Sequence, residues 1–276
     1  MNLVLQGRAL PHAELKRIVQ MVSGGGITAL GPGAVRISGA EESPLVATYC
    51  EENELDFAWV PATRLLSNLR LLAMDMDSTL VTIESIDEMG GLLGIKDRIA
   101  AITGQAMRGE IDYPESLRRR VALLEGLEES ALERICEERM QLSPGAEALI
   151  ARCHELGIRT LLVSGGFSFF TSWLKERLGL DAACSNQLEI VAGKLTGRVL
   201  GDIVDGEGKA ARLVQEIASM GITASQAVAV GDGANDVPMM GIAGVSVAYR
   251  AKPVVKDAAT HALDHCGLDG VLNLYA

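Results

Sequence analysis

The chain has 276 residues, 48% of them hydrophobic, and a formal net charge of −11. That length suits one large domain or two smaller ones, with apolar residues enough for a sizeable core. The acidic balance and the lack of a long basic run exclude non-specific nucleic-acid binding, which neutralises phosphates with Lys and Arg, and disfavour an anionic membrane surface. A small anionic substrate stays open, because a local site can invert a global field.

Five cysteines (Cys50, Cys136, Cys153, Cys184, Cys266) lie far apart, with no CxxC pair and an odd count. That pattern argues against a disulfide framework and suits a reducing compartment. The N-terminal stretch lacks the basic start and apolar run of a signal peptide. The longest charge-free stretch, Thr160–Leu174, is broken by Gly165-Gly166 and three serines, too interrupted to span a bilayer. The expectation is a soluble, cytoplasmic protein without a membrane partner.

In chain order, residues 1–70 read as a small α+β unit. Asn2–Gly7 is a strand and His12–Val22 an amphipathic helix. Gly24–Gly39 is a Gly-rich turn with one or two strands, and 61–70 is a connector. Residues 71–276 then alternate strands and helices. Leu71–Met76 is a short apolar run, followed by a mostly helical stretch at about 84–142. Ser143-Pro144-Gly145 breaks the chain. A helix closed by Gly157 comes next, then a strand ending in Gly165-Gly166 and a helix at 171–179. Two β-rich pieces flank a turn at Gly193-Lys194. A helix ended by Gly221, strands at Ala227 and Gly244, and a helical C-terminus complete the chain. Alternation of this kind implies βαβ units and a parallel sheet. Three apolar strands end in polar tips, MDMDST, VSGG and VGDGAND. In open α/β sheets the strands' carboxyl ends hold the ligand, so the tips can converge, with 84–142 as a cap above them.

At the first tip, residues i and i+2 of an extended chain share a side, so Asp75 and Asp77 can face one pocket. Crowding raises one pKa unless a cation intervenes, which suits one ionised nucleophile and one proton donor. A solvated turn is the alternative. A calcium loop fails, because Thr79 and Leu80 stand where it needs Asp or Asn and then Gly. The last tip supplies Asp232, Asn235 and Asp236 after glycines that let the backbone turn tightly. Asp236 breaks the dinucleotide-binding glycine pattern. Both Gly-Lys pairs lack the Ser or Thr of a phosphate-binding P-loop. Ser164, Gly165 and Gly166 offer a hydroxyl and amides to phosphate oxygens, or simply connect. Lys209 is a phosphate clamp if it points inward and a solvated lysine if not. A carboxylate attacking a phosphate dianion meets roughly 4 kcal/mol of repulsion per unit charge pair at 4 Å. Mg²⁺ on Asp75, Asp232 and a backbone carbonyl would relieve it.

Together DMDST, VSGG, a downstream lysine and GDGAND resemble the four signature motifs of the haloacid dehalogenase-like phosphatases. From about Leu71 through the AKP at 251–253, cap included, the chain resembles the branch acting on phosphoserine. The resemblance implies a Rossmann-like parallel sheet with helices on both faces and a helical cap after the first core strand. It makes Asp75 the nucleophile that forms an aspartyl-phosphate. Asp77 protonates the leaving oxygen and then activates water. Asp75, Asp232 and the Asp77 carbonyl hold Mg²⁺, with Asp236 behind them. Ser164, Gly165 and Lys209 hold the phosphoryl oxygens beside Asn235. Implied too are Glu84 as ammonium ligand, Arg120 as carboxylate ligand, and Met107 and Tyr113 as pocket lining. The residues alone leave other roles open. Arg120 shares the stripe of Leu117, Val121 and Leu124 and can snorkel over it. Glu84 suits a helix N-terminus for dipole reasons.

The N-terminal unit resembles ACT-like regulatory domains but is short for a complete βαββαβ fold. An amino-acid ligand there, or a homodimer paired through it, follows from that likeness. His261, His265 and Cys266 suggest a metal site but lack a fourth ligand. The competing functions are the same chemistry, or phosphoryl transfer, on another small phosphomonoester, and a non-catalytic sensor. A sensor would be expected to have lost one of Asp75, Asp77 or Asp232, and all three are present.

Overall fold

A computed structural model describes residues 1–7, 10 and 14–275. Its first body runs β1 (Asn2–Gln6), α1 (Leu15–Met21), β2 (Gly26–Gly31), β3 (Ala34–Ser38), α2 (Pro44–Glu52) and β4 (Asp56–Val60). The strands form an antiparallel sheet in the order β2-β3-β1-β4. This is the full βαββαβ order of a split βαβ unit, so the expectation of an incomplete one was wrong. The missing half is α2, whose apolar stripe is blurred by the exposed Leu45, and β4, which opens on the buried Asp56. His12 and Ala13 of the expected first helix lie outside the described residues.

All five residues of β1 are buried, because both faces of the sheet are covered. Leu3 and Leu5 pack with Ile18 of α1 and Val46 of α2. Val4, Ala58 and Val60, from the opposite face, join the core of the second body. Gln6 Nε2 donates to Gly270 O at 3.2 Å. The Asp56 carboxylate accepts the backbone N–H groups of Asp264, His265 and Cys266 at 2.7–3.0 Å.

The second body begins with β5 (Leu71–Met74), followed by α3 (Ser85–Leu92), α4 (Lys96–Met107), α5 (Tyr113–Ala122) and α6 (Glu129–Glu138). Then come α7 (Ala146–Leu156), β6 (Arg159–Phe167), α8 (Ser168–Leu178), β7 (Ala182–Val191), β8 (Lys194–Leu200) and α9 (Gly206–Ser219). The chain continues through β9 (Ala227–Gly231), α10 (Val237–Ile242), β10 (Val245–Tyr249), α11 (Pro253–Ala258) and β11 (His261–Leu263) to a 3₁₀ segment at Leu268–Leu274. The sheet order is β11-β10-β9-β5-β6-β7-β8, parallel except where β8 runs back along β7. Strand alternation divides the core. Leu71 and Ala73 pack with Leu213 of α9 and Met239 of α10, whereas Leu72 and Met74 pack with Leu149 of α7 and Val271. Helices therefore cover both faces, as a parallel sheet requires.

Helices α3–α6 are a cap inserted between β5 and α7. Its neck is pinned by the Val81–Leu142 bridge and by Thr82 N–H donating to Gln141 O at 2.9 Å. Two sequence expectations change. The hairpin turn is Ala192-Gly193, both at positive φ (51° and 74°), and Lys194 opens β8. A two-residue loop needs such residues to match the strand twist. The C-terminal part is not simply helical, because β11 intervenes. His261 sits on that strand and His265 beyond it, so they share no helix face, and the Arg64 guanidinium donates to His261 Nε2 at 2.6 Å. All five cysteines are free, and burial pushes the Cys50, Cys136 and Cys153 thiols up to about 12. No helix among the described residues is long and apolar enough to cross a membrane.

Candidate active site

Strand pairing of β5 stops at Met74, but the chain stays extended through Asp75 (φ −74°, ψ 165°) and at Asp77 (φ −64°, ψ 134°). Ser78 then turns it at φ 57°, a left-handed conformation that side-chain-bearing residues rarely adopt. Ser78 N–H donates to Ile83 O, and its Oγ–H donates to Glu84 Oε1 at 2.7 Å. The strained turn thus ties Glu84, just ahead of α3, to the loop that carries Asp75 and Asp77.

Asp75 is 5% exposed, at the end of a wholly apolar strand. Lys209, completely buried, donates to Asp75 Oδ1 at 2.6 Å and to Asp236 Oδ1 at 2.7 Å. An ammonium has three protons, so one remains for a ligand oxygen. The other Asp236 oxygen accepts the backbone N–H groups of Asp232 and Gly233 at 3.1 and 3.0 Å. Asp236 is thereby spent on bracing the loop after β9. A β-carbon on Gly231 would lie 2.4 Å from its Cγ, so that position needs glycine. Asp232 Oδ1 accepts from the Thr79 hydroxyl at 3.1 Å.

Asp77 accepts from Ser85 twice, N–H to Oδ1 at 2.9 Å and Oγ–H to Oδ2 at 3.1 Å. At the tip of β6, Gly166 N–H donates to Ser164 Oγ at 2.8 Å, leaving the hydroxyl proton for another partner. The space where Gly166 lacks a β-carbon is 2.8 Å from Asp77 Oδ2 and 3.0 Å from Ser164 Oγ. Tips of β5, β6 and β9 therefore meet as a site. From the cap, the Tyr113 hydroxyl donates to Gly165 O at 3.0 Å, and the Arg120 guanidinium lies 6.0 Å from the Tyr113 ring centre. Arg120 Nε donates to Ser116 O, while Arg119 pairs with Glu115 at the surface. Asn235 stands partly buried over Gly233. Met107, at the end of α4, is 67% exposed.

Burial raises the carboxyls of all three aspartates that face the site. Burial, then the Asp236 charge, push the Asp75 carboxyl well above the usual range, against the pull of Lys209. Burial, then Glu84, raise Asp77 to about 7. Burial, then Asp236 and Glu84, raise Asp232 to about 6. For Lys209, burial acts downward, but the Asp236 and Asp75 charges outweigh it and the ammonium is raised. Against this one cation stand Asp75, Asp77, Asp232, Asp236 and Glu84. Carboxylate oxygens of Asp75, Asp232 and Asp236 lie within 4.8 Å of one another. An all-oxygen, anion-rich donor set fits a hard divalent cation.

Sequence reasoning overlooked Asn186, Ser85 and Thr79, which contact this machinery. Thr79 follows Asp77 closely and Ser85 opens α3, so both were legible as polar neighbours of the aspartates. Asn186 stands alone in a strand, and its partners are backbone atoms.

A family model of haloacid dehalogenase-like hydrolases matches residues 72–241. A phosphoserine phosphatase from Polaromonas sp. (strain JS666) is 50% identical over 214 residues, 76% of this chain and 91% of that protein. The crystal structure of a hydrolase of the same family from Salmonella enterica serovar Typhi superposes with TM-score 0.88 at 31% identity, over 99% of this chain and 97% of that one. A substrate-bound phosphoserine phosphatase structure superposes with TM-score 0.70 at 36% identity, over 75% of this chain and 99% of that one. The chain belongs to the haloacid dehalogenase-like hydrolases. Within that family it is a phosphoric monoester hydrolase.

Proposed function

We propose that the protein hydrolyses O-phospho-L-serine to L-serine and phosphate, with Mg²⁺ and through a phosphoryl group carried on Asp75, as the last step of serine biosynthesis. The observation that carries this reading is Asp75 itself, buried at a strand tip with Oδ1 fixed by Lys209 and Oδ2 free of protein donors among the described residues. The phosphoserine phosphatases similar to this chain support the substrate. Arg120, with no carboxylate partner among the described residues, supports it too.

Asp75 Oδ2 attacks phosphorus, and the bond from phosphorus to the serine oxygen breaks. Asp77, raised to about 7 by burial and then by Glu84, supplies that oxygen's proton near neutrality. The resulting Asp77 carboxylate takes a proton from water as the water oxygen attacks phosphorus. The bond from Asp75 Oδ2 to phosphorus breaks, phosphate leaves, and both aspartates return to their first states. The Ser164 hydroxyl and the third Lys209 proton hold the phosphoryl oxygens throughout. Asp75, Asp232 and the Asp77 carbonyl would hold Mg²⁺, which screens carboxylate from phosphate.

Residues 1–70 as a regulatory unit, with a homodimer or an amino-acid ligand there, and a cytoplasmic setting suited to free thiols belong to the same reading. The test is phosphate release from phosphoserine with Mg²⁺, abolished by EDTA. Asp75→Asn should lower kcat by roughly a thousandfold or more. Undiminished turnover, with asparagine verified by mass spectrometry, would refute the mechanism.

A further inference from the structure

The β6–β7 ladder is interrupted where chemistry needs the chain free. Val163 pairs with Cys184 and Phe167 with Asn186, so Ser164–Gly166 bulge out of the register. Such bulges commonly re-aim side chains next to active sites. Backbone groups outside a ladder still need partners. Asn186, 1% exposed, answers part of that need. Its Nδ2 donates to Gly165 O at 2.8 Å, and its Oδ1 accepts Val204 N–H at 2.8 Å. Gly165 O and Gly166 N–H belong to one peptide unit, whose N–H end rests on Ser164 Oγ. Val204 precedes Asp205, whose side chain caps α9 by accepting Gly208 N–H and whose carbonyl accepts Lys209 N–H at 2.9 Å. The two loops run side by side, with the missing β-carbon of Gly165 falling 3.7 Å from Val204 O.

We propose that Asn186 is a positioning residue, whose amide fastens the Ser164 loop to the Lys209 loop so that both donors converge on one phosphoryl group. The task needs a donor and an acceptor on one short, rigid side chain. Aspartate is the same size but only accepts, and alanine does neither. Asn186 touches no reacting atom and acts through Ser164 and Lys209. The inference rests on the proposed function only for phosphoryl handling, not for serine.

The test compares Asn186→Ala, Asn186→Asp and the milder Asn186→Ser with the full chain, on phosphoserine and on an aryl phosphate with Mg²⁺. Circular dichroism gives the folded fraction of each. kcat/KM per folded molecule should fall on the order of 10–100-fold for Asn186→Ala and Asn186→Asp, by similar factors on both substrates. In a Ser164→Ala background the same change should cost much less, because the group it orients is gone. The proposal is overturned if losses merely follow the folded fraction, if they stay within twofold, or if they are fully additive with Ser164→Ala. Wild-type activity on the aryl phosphate but not on phosphoserine would sink the proposed function alone. Activity on neither would sink both.

Discussion

Under the proposed function, Arg120 divides binding from chemistry. Its Nε donates to Ser116 O while its guanidinium rests beside Tyr113 without a carboxylate partner among the described residues. A planar fork with spare donors suits a substrate carboxylate. Arg120→Ala should lower kcat/KM for phosphoserine on the order of a hundredfold, the loss of a charge-assisted pair, and change an aryl phosphate only a few-fold. Steady-state kinetics on both substrates checks this, and equal losses would dismiss the role. Asp75, Asp77 and Asp232 were legible in the sequence, because acidic residues interrupting an apolar strand end carry a cost that only function repays. Arg120 was legible by its place in an apolar stripe. Asn186 was not, since no nearby residue hints that its partners are main-chain atoms folded in from 21 and 18 positions away.

At the scale of elements, cap and sheet meet through α5. The Tyr113 hydroxyl reaches the Gly165 carbonyl, which Asn186 already engages from the other side. That contact holds α5 to the tip of β6 by about 1 kcal/mol, the usual net value of a hydrogen bond. Tyr113→Phe keeps the ring and removes the contact. Amides of α5 should then exchange with solvent about two- to tenfold faster, as read by hydrogen–deuterium exchange. Unchanged exchange would mean that the hydroxyl does not latch the cap. Long elements such as α7 and α9 announced themselves by periodicity and terminal glycines. Among those that escaped, α2 carries an exposed Leu45 that blurs its apolar stripe, β4 opens on the buried charge of Asp56, and β11 has only three residues.

For the molecule as a whole, the antiparallel sheet and the catalytic body share one apolar core through Val4, Ala58 and Val60. A polar contact accompanies it, from Arg64 after β4 to His261 on β11. Burial, and then the Arg64 charge, depress His261 to about 4, below the value near 6.5 of an unfolded chain. The unfolded chain therefore takes up this proton first as pH falls. The stabilisation is complete above about pH 6.5, declines towards pH 4, and amounts to about 3 kcal/mol once lost. Urea unfolding at several pH values should show a steeper decline for the wild type than for His261→Gln in that window. Parallel curves would assign the acid sensitivity elsewhere.

The bond from Gln6 to Gly270 spans 264 positions. A ribosome adding roughly 5–20 residues per second needs roughly 13–50 s to make the second partner after the first. Through the last part of that wait, the faces of β1 and β4 that meet the 3₁₀ segment and β11 lack those partners. A nascent chain stalled short of residue 261 would therefore expose a greasy sheet face, so a late stall should aggregate more than an early one.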